Sequence, residues 1–304
     1  MVKRLLVIIL CLSLSVWLSP VQAKGKLEGP IRITSKVLGY DLQYWVYLPR
    51  RAKKPIPELY VTDGQVYLGA GHMRDVLDEE IDNGRIAPIA AIFVDSRDPD
   101  YPDESRRNKE FMCKAEYAKF YLTELMPEIS KRWTGGDPST HRGIMGVSFG
   151  GINAACFGML MPGAFQVLIM QSPASDKHLD VINDIYMERE KNPSAIFLSH
   201  GGPQDNEAAA RRFVATLKDK EYPVRHVSTD GGHDWDNWRP LLDDTLRAFA
   251  GLRAKDEIKS PIPFYIRAVG CEQKKEKTQA ETTQGGSAPQ AAVRPAKHPY
   301  AAGG

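Results

Sequence analysis

The sequence predicts an α/β fold: a mostly parallel central sheet with helices on both faces and an antiparallel hairpin at its N-terminal edge. Three observations carry that expectation. Short runs rich in strand formers recur at 58–62, 89–94, 144–147, 165–170, 194–199 and 224–228, with helix-like segments between them. Ile89-Ala90-Ala91-Ile92-Phe93-Val94 is apolar throughout, as a strand buried on both faces must be. Gly146-Val147-Ser148-Phe149-Gly150 stands between one such run and a helical stretch.

Residues 31–48 read as two strands joined by a tight turn at Gly39-Tyr40-Asp41. The second, Leu42 to Leu48, is rich in Tyr, Trp and Val and stops at Pro49. Arg50 to Pro57 is basic and proline-rich, hence a surface loop. Glu58 to Thr62 is a short strand running into Asp63-Gly64-Gln65, and Met73 to Ile81 fits an amphipathic helix closed by Asn83-Gly84. After the 89–94 strand comes a polar loop, 95–109, with Arg106 and Arg107 close to its end. Tyr117, Phe120, Tyr121, Leu125 and Ile129 recur at helical spacing, and Pro127 among them is expected to kink that helix or start a second. Helices are also expected over 152–157, 206–220 and about 236–252, between and after the remaining strands.

The chain has 304 residues, 42% hydrophobic and 26% charged, ordinary values for a globular protein. A net charge of +2 gives no nucleic-acid footprint. Met1-Val2-Lys3-Arg4, the apolar run Leu5 to Leu18 and Ser19-Pro20-Val21-Gln22-Ala23 read as a signal peptide cut after Ala23. That run is short for a bilayer span, and Leu10 before Cys11 is too bulky for lipoprotein processing. The expectation is a periplasmic or secreted protein with no stable membrane insertion after cleavage. It divides into a signal peptide (1–23), one α/β domain (24–271) and a tail (272–304) too poor in large apolar residues to fold. Of the three mature cysteines, Cys156 reads as a buried small hydrophobe and Cys113 with Cys271 as a candidate disulfide. No Cys-x-x-Cys or His/Cys cluster suggests a metal site.

A Gly-x-Ser-x-Gly set between strand and helix is the nucleophile elbow of α/β-hydrolases. The turn is so sharp that side chains two residues either side of Ser148 would collide, and it presents the serine at a helix N-terminus. A serine hydroxyl needs a base, and the base an orienting acid, in the chain order Ser, Asp/Glu, His. His233 follows two glycines on the loop after the last strand, where the base belongs. The acid belongs on the loop 199–207, where Asp205 is favoured over Glu207; Asp205 also suits a plain helix cap. The two amides of an oxyanion hole fall to Phe149 and to Gln65, whose Asp63-Gly64 is otherwise an ordinary turn pair.

Thr62-Asp63-Gly64-Gln65, the 116–133 helix, Gly146 to Gly151 and Gly231-Gly232-His233-Asp234-Trp235-Asp236-Asn237-Trp238-Arg239 together resemble the Putative esterase family, over roughly residues 30–252. That family includes enterochelin (siderophore) esterases, esterase D-type S-formylglutathione hydrolases and feruloyl esterases. The Gly-Gly-His-Asp motif with its Trp-rich helix start looks most like the enterochelin esterase branch. The resemblance implies an α/β-hydrolase fold, hydrolysis of a small-molecule carboxylic ester, no cofactor, and joint action of Ser148, His233 and an acid near Asp205. The acid motif departs from the family's pattern, so Asp205 and Glu207 both stay open.

Tyr67, Trp235 and Trp238 would suit an aromatic wall for substrate, and Arg106, Arg107 and Arg239 would suit anionic groups on it; each equally suits packing or surface. The function expected is an exported serine esterase, with siderophore-type esters as candidate substrates. An acyltransferase on the same residues and a non-catalytic ligand-binding protein on a hydrolase scaffold are its rivals.

Overall fold

The computed structural model describes residues 24–255. The expected signal peptide, the tail and Cys271 lie outside the described residues. Within them, strands β1 (Lys26–Thr34), β2 (Asp41–Leu48), β3 (Glu58–Thr62), β4 (Ala90–Val94), β5 (Arg142–Val147), β6 (Val167–Gln171), β7 (Ala195–His200) and β8 (Val224–Ser228) form one sheet. Its order is β1-β2-β4-β3-β5-β6-β7-β8. β1 and β2 make the antiparallel edge, β2 also runs antiparallel to β4, and every pair from β4 to β8 is parallel.

Side chains alternate across the pleat, so each central strand feeds two cores. Tyr60, Ile92, Ile144, Leu168 and Ile196 point to one face, and Leu59, Phe93, Met145, Ile169 and Phe197 to the other. The first face is covered by α4 (Ala115–Phe120) and α5 (Met126–Ile129), α6 (Phe149–Leu160), α7 (Asp176–Glu188) and α8 (Glu207–Asp219). The second is covered by α1 (Gly64–Leu68), α2 (Met73–Asp82), α9 (Trp235–Trp238) and α10 (Leu242–Lys255). A one-turn helix, α3 (Arg107–Glu110), closes the loop after β4. Among the described residues no helix is long and apolar enough to cross a membrane.

Three differences from the sequence reading have local causes. The 116–133 helix is one continuous helical run in which wider turns, Tyr121–Leu125 and Ser130–Thr134, follow α4 and α5. Pro127 has no N–H for the preceding turn, so the helix changes its hydrogen-bond register there instead of breaking. α7 had no counterpart in that reading, although Leu179, Ile182 and Tyr186 are buried at helical spacing. Finally, Cys113 pairs with Cys156, with a Cα–Cα separation of 4.9 Å. This corrects both the Cys113–Cys271 expectation and the reading of Cys156 as a plain hydrophobe. Cys156 lies on the face of α6 that packs against the chain following α3, so its partner comes from the same core layer.

Candidate active site

Every residue of β5 is buried, and the strand ends directly at Ser148, whose φ of 56° is left-handed backbone that a non-glycine residue rarely adopts. The turn is held by the Ser148 amide donating to the Gln171 carbonyl of β6 at 2.9 Å. A Cβ on Gly146 would stand 2.3 Å from the carbonyl carbon of Gly150 and 2.4 Å from Thr62 Oγ1. Gly146 is therefore a steric necessity of the elbow, and a Cβ on Gly150 would press on Thr62 Oγ1 at 2.7 Å. Phe149 opens α6, so its amide is among those that lack an acceptor inside the helix.

The base and acid loops meet backbone to backbone. Gly202 donates its amide to the Gly231 carbonyl at 2.8 Å, and a Cβ on Gly201 would stand only 2.1 Å from that oxygen. Asn237 Nδ2 binds the Gly232 carbonyl at 2.9 Å, while Asp234 caps α9 by accepting from the amides of Asp236 and Asn237. These contacts set His233 between two partners. Its Nε2 lies 2.9 Å from Ser148 Oγ, and its Nδ1 lies 2.6 Å from Asp205 Oδ1. The geometry fits a neutral ring with the proton on Nδ1, free to accept the serine proton at Nε2.

The structure brings Asp205, and not Glu207, to the histidine: Glu207 pairs with Arg211 on the exposed side of α8 at 2.7 Å. The N-cap position of α8 is held by Asn206, whose side chain makes no capping hydrogen bond, so Asp205 is not the helix cap. Asp205 Oδ2 accepts from Ser172 Oγ and from the Gly201 amide, each at 2.6 Å. Burial alone would raise this carboxyl, but the hydrogen bonds from His233, Ser172 and Gly201 outweigh it and hold the group below the usual aspartate value.

Gln65 occupies the second turn position of α1, so its amide too has no acceptor within its own helix. Its side chain is pinned to the loop after β4, with Nε2 3.2 Å from Ser96 Oγ. A Cβ on Gly64 would stand 2.4 Å from the Phe93 carbonyl carbon, so the α1 start presses directly on β4.

A cleft of about 670 Å³ opens at the serine, lined by Ser148, Phe149, Ala174, Ser175, Asp176, Lys177, Gln204, Asp205, Asn206 and His233. None of Tyr67, Arg106, Arg107, Trp235 and Trp238, expected as an aromatic wall and arginine contacts, is in that lining; the structure places each of them in other contacts. Tyr67 is fully buried and donates to Gln171 Oε1 at 3.0 Å, its ring edge-on to Trp235. Trp238 Nε1 donates to Ser172 Oγ at 2.8 Å, and its ring stands edge-on to His233. Arg106 is tied to Asp98 and the Asp41 carbonyl, and Arg239 to the Ala70 carbonyl. Arg107 faces Asp63. Sequence reasoning missed Ser172 and all of Ala174 to Lys177. Their only signal was position, immediately after the strand that neighbours β5. Among the described residues no three His, Cys, Asp or Glu side chains group as metal ligands would.

The fold and this serine, histidine and aspartate define an α/β-hydrolase. The chain belongs to the Putative esterase family, whose sequence profile matches residues 35–249. It is 25% identical over 230 residues, 70% of this chain and 93% of the other, to the uncharacterized protein YjcH of Bacillus subtilis. Its structure is similar to that of the enterobactin esterase FES of Shigella flexneri, crystallised with enterobactin (TM-score 0.65, 22% identity, 75% of this chain). The match spans only 59% of that enzyme. A ferulic acid esterase is similar over its whole length, at TM-score 0.62 and 22% identity over 76% of this chain.

Proposed function

We propose that the protein is an exported serine esterase that cleaves carboxylic esters through an acyl-enzyme. The observation that carries this reading is the unbroken hydrogen-bonded chain from Ser148 through His233 to Asp205. Ser148 Oγ attacks the ester carbonyl while His233 Nε2 takes its proton. The resulting oxyanion is held by the amides of Phe149 and Gln65. His233 returns the proton to the departing alcohol oxygen, leaving the acyl group on Ser148. A water molecule, deprotonated by the same nitrogen, then releases the acid and restores the serine. Asp205 keeps the ring in the required tautomer and stabilises the imidazolium formed in each half.

For substrate, the reading favours esters of aryl acids, with catechol-siderophore esters first and hydroxycinnamate esters second. The support is likeness to the enterobactin and ferulic acid esterases, together with the half-buried Phe149 in the lining of the cleft. Export and cleavage after Ala23 are part of the proposal, and the Cys113–Cys156 disulfide agrees with an oxidising compartment.

The test uses the chain from Lys24 beside Ser148→Ala, followed by hydrolysis of a short-chain nitrophenyl ester and by labelling with a fluorophosphonate. Both signals are expected in the parent and neither in the variant. A folded parent that neither labels nor turns over would instead support a ligand-binding protein. Acyl transfer to an added alcohol in preference to water would support the acyltransferase.

A further inference from the structure

We infer that Arg107 is a positioning residue for the oxyanion hole, bracing from α3 both backbone segments that would supply its two amides. The inference rests on the hydrolase reading and concerns how its site is held in shape. On one side the Arg107 guanidinium faces the Asp63 carboxylate, with Nη2 3.1 Å from Oδ2, as an ion pair and not as an aligned hydrogen bond. Asp63 is the residue that turns β3 into α1, with left-handed backbone (φ 54°), two positions before the Gln65 amide. On the other side the same Nη2 reaches the Val147 carbonyl at 3.5 Å, one residue before the nucleophile. The guanidinium carbon also lies over the Phe149 ring, 5.3 Å from its centroid, one residue after it.

The surroundings show that this is a built arrangement. Asp63 is 3% exposed, and its other oxygen accepts from Ser96 Oγ at 2.5 Å, the hydroxyl that also holds the Gln65 side chain. Burial pushes the Asp63 carboxyl up, and the Arg107 charge beside it pulls it back down. Oδ2 also comes against α6, where a Cβ on Gly150 would stand 3.4 Å from it. The far end of the same segment is fixed as well, since Cys113 is bonded to Cys156 on α6. Residues 107–113 thus form a strap fastened to the nucleophile helix at one end by a disulfide and at the other by an arginine. A lysine would supply the charge for Asp63 but not the forked donor set that reaches Asp63 and Val147 against the Phe149 ring.

An oxyanion hole acts in the transition state, so misplacing its donors lowers kcat and leaves substrate binding nearly unchanged. A direct substrate contact would act mainly on KM. The experiment compares the parent with Arg107→Gln, Arg107→Lys, Asp63→Asn and the double variant Asp63→Asn/Arg107→Gln. For each, kcat and KM are measured on a nitrophenyl ester, along with the affinity for a phenylboronic acid, which adds to the serine as a tetrahedral adduct.

Arg107→Gln is expected to lower kcat by about 30-fold or more and boronate affinity by a similar factor, with KM within about threefold. Arg107→Lys is expected to restore part of both losses. The double variant, which leaves no unpaired buried charge, is expected to fold and to match Arg107→Gln, keeping the test available where the single variant is unstable. Unchanged kcat and boronate affinity in a folded Arg107→Gln or double variant would overturn the inference, as would a loss carried wholly by KM. Failure of the parent to turn over or label would count against the hydrolase reading instead.

Discussion

Ser172 Oγ donates to Asp205 Oδ2 at 2.6 Å while accepting from Trp238 Nε1 at 2.8 Å, so a serine outside the triad is locked into the role of donor to its acid. The indole N–H occupies an oxygen lone pair, which directs the hydroxyl proton at the carboxylate. The chain of contacts continues outward: the Trp238 carbonyl accepts from Gln171 Nε2, and Gln171 Oε1 accepts from Tyr67. The aromatic residues of the Gly-Gly-His-Asp helix start and of α1 therefore support Asp205 and His233 from behind.

Ser172→Ala is expected to lower kcat about tenfold with little change in KM, because it loosens the group that orients His233. The stability effect has a definite sign. Asp205 is held below its unfolded value, so its contribution is present above about pH 4 and is lost as the pH falls through the folded value. Ser172→Ala removes part of that contribution. Its melting temperature should fall short of the parent's by more at pH 7 than at pH 3. Equal deficits at both pH values would show that Ser172 does not act through the charge of Asp205.

Gly146→Ala tests the elbow itself. The added methyl would meet backbone atoms of Gly150 at 2.3 Å, where no side-chain rotation gives relief. A loss of about 2–3 kcal/mol is expected, together with loss of fluorophosphonate labelling in whatever fraction still folds. A stable, normally labelled variant would mean that β5 and α6 approach less closely than described.

The site was legible in the sequence where backbone geometry dictates residue type. Gly146 and Gly150 flank a left-handed Ser148, and Gly231 and Gly232 precede His233 where two loops touch, so glycine itself carried the information. The sheet was legible because Leu59, Phe93 and Ile169 on one face alternate with Tyr60, Ile92 and Leu168 on the other, and no short apolar run can satisfy both without being a buried strand. What depends on strand order was hidden. Ser172 reaches Asp205 only because β6 lies between β5 and β7, and Cys113 reaches Cys156 only because both belong to one helical layer. Tyr67 and Trp238 misled for another reason: their polar tips find buried partners, so rings that suit a substrate wall pack inward. α7 was obscured because its buried face is only Leu179, Ile182 and Tyr186 among acidic and polar residues.

Glu110 should make stability fall with rising pH. It is buried at 1% exposure, and its Oε1 accepts from Tyr40 at 3.1 Å. Burial pushes the carboxyl up to about 8, against the pull of the Tyr40 hydroxyl and of Arg106. The folded chain thus keeps a proton that the unfolded chain releases near pH 4.5, so stability declines as the pH rises from there through about 8. Glu110→Gln keeps the shape and removes the titration. The drop in melting temperature between pH 5 and pH 8.5 should shrink by about 10 °C. An unchanged drop would place the titration elsewhere.

The disulfide makes the last prediction, and it separates two pairings. Cys113 and Cys156 close a loop of sequence separation 43, a constraint on the unfolded chain worth about 4 kcal/mol. Cys113→Ala and Cys156→Ala should each lower the melting temperature by about 10 °C, and the double variant should fall no further than the worse single one, since either removes the whole bond. Cys271→Ser should leave the melting temperature unchanged, and peptide mapping without reductant should recover residues 113 and 156 in one linked fragment. The cysteine variants should also lose activity at temperatures where they remain folded, because the freed strap begins at Arg107 and ends at the helix that starts beside Ser148. A melting temperature that responds to Cys271 and not to Cys156 would restore the pairing first expected and detach the strap from α6.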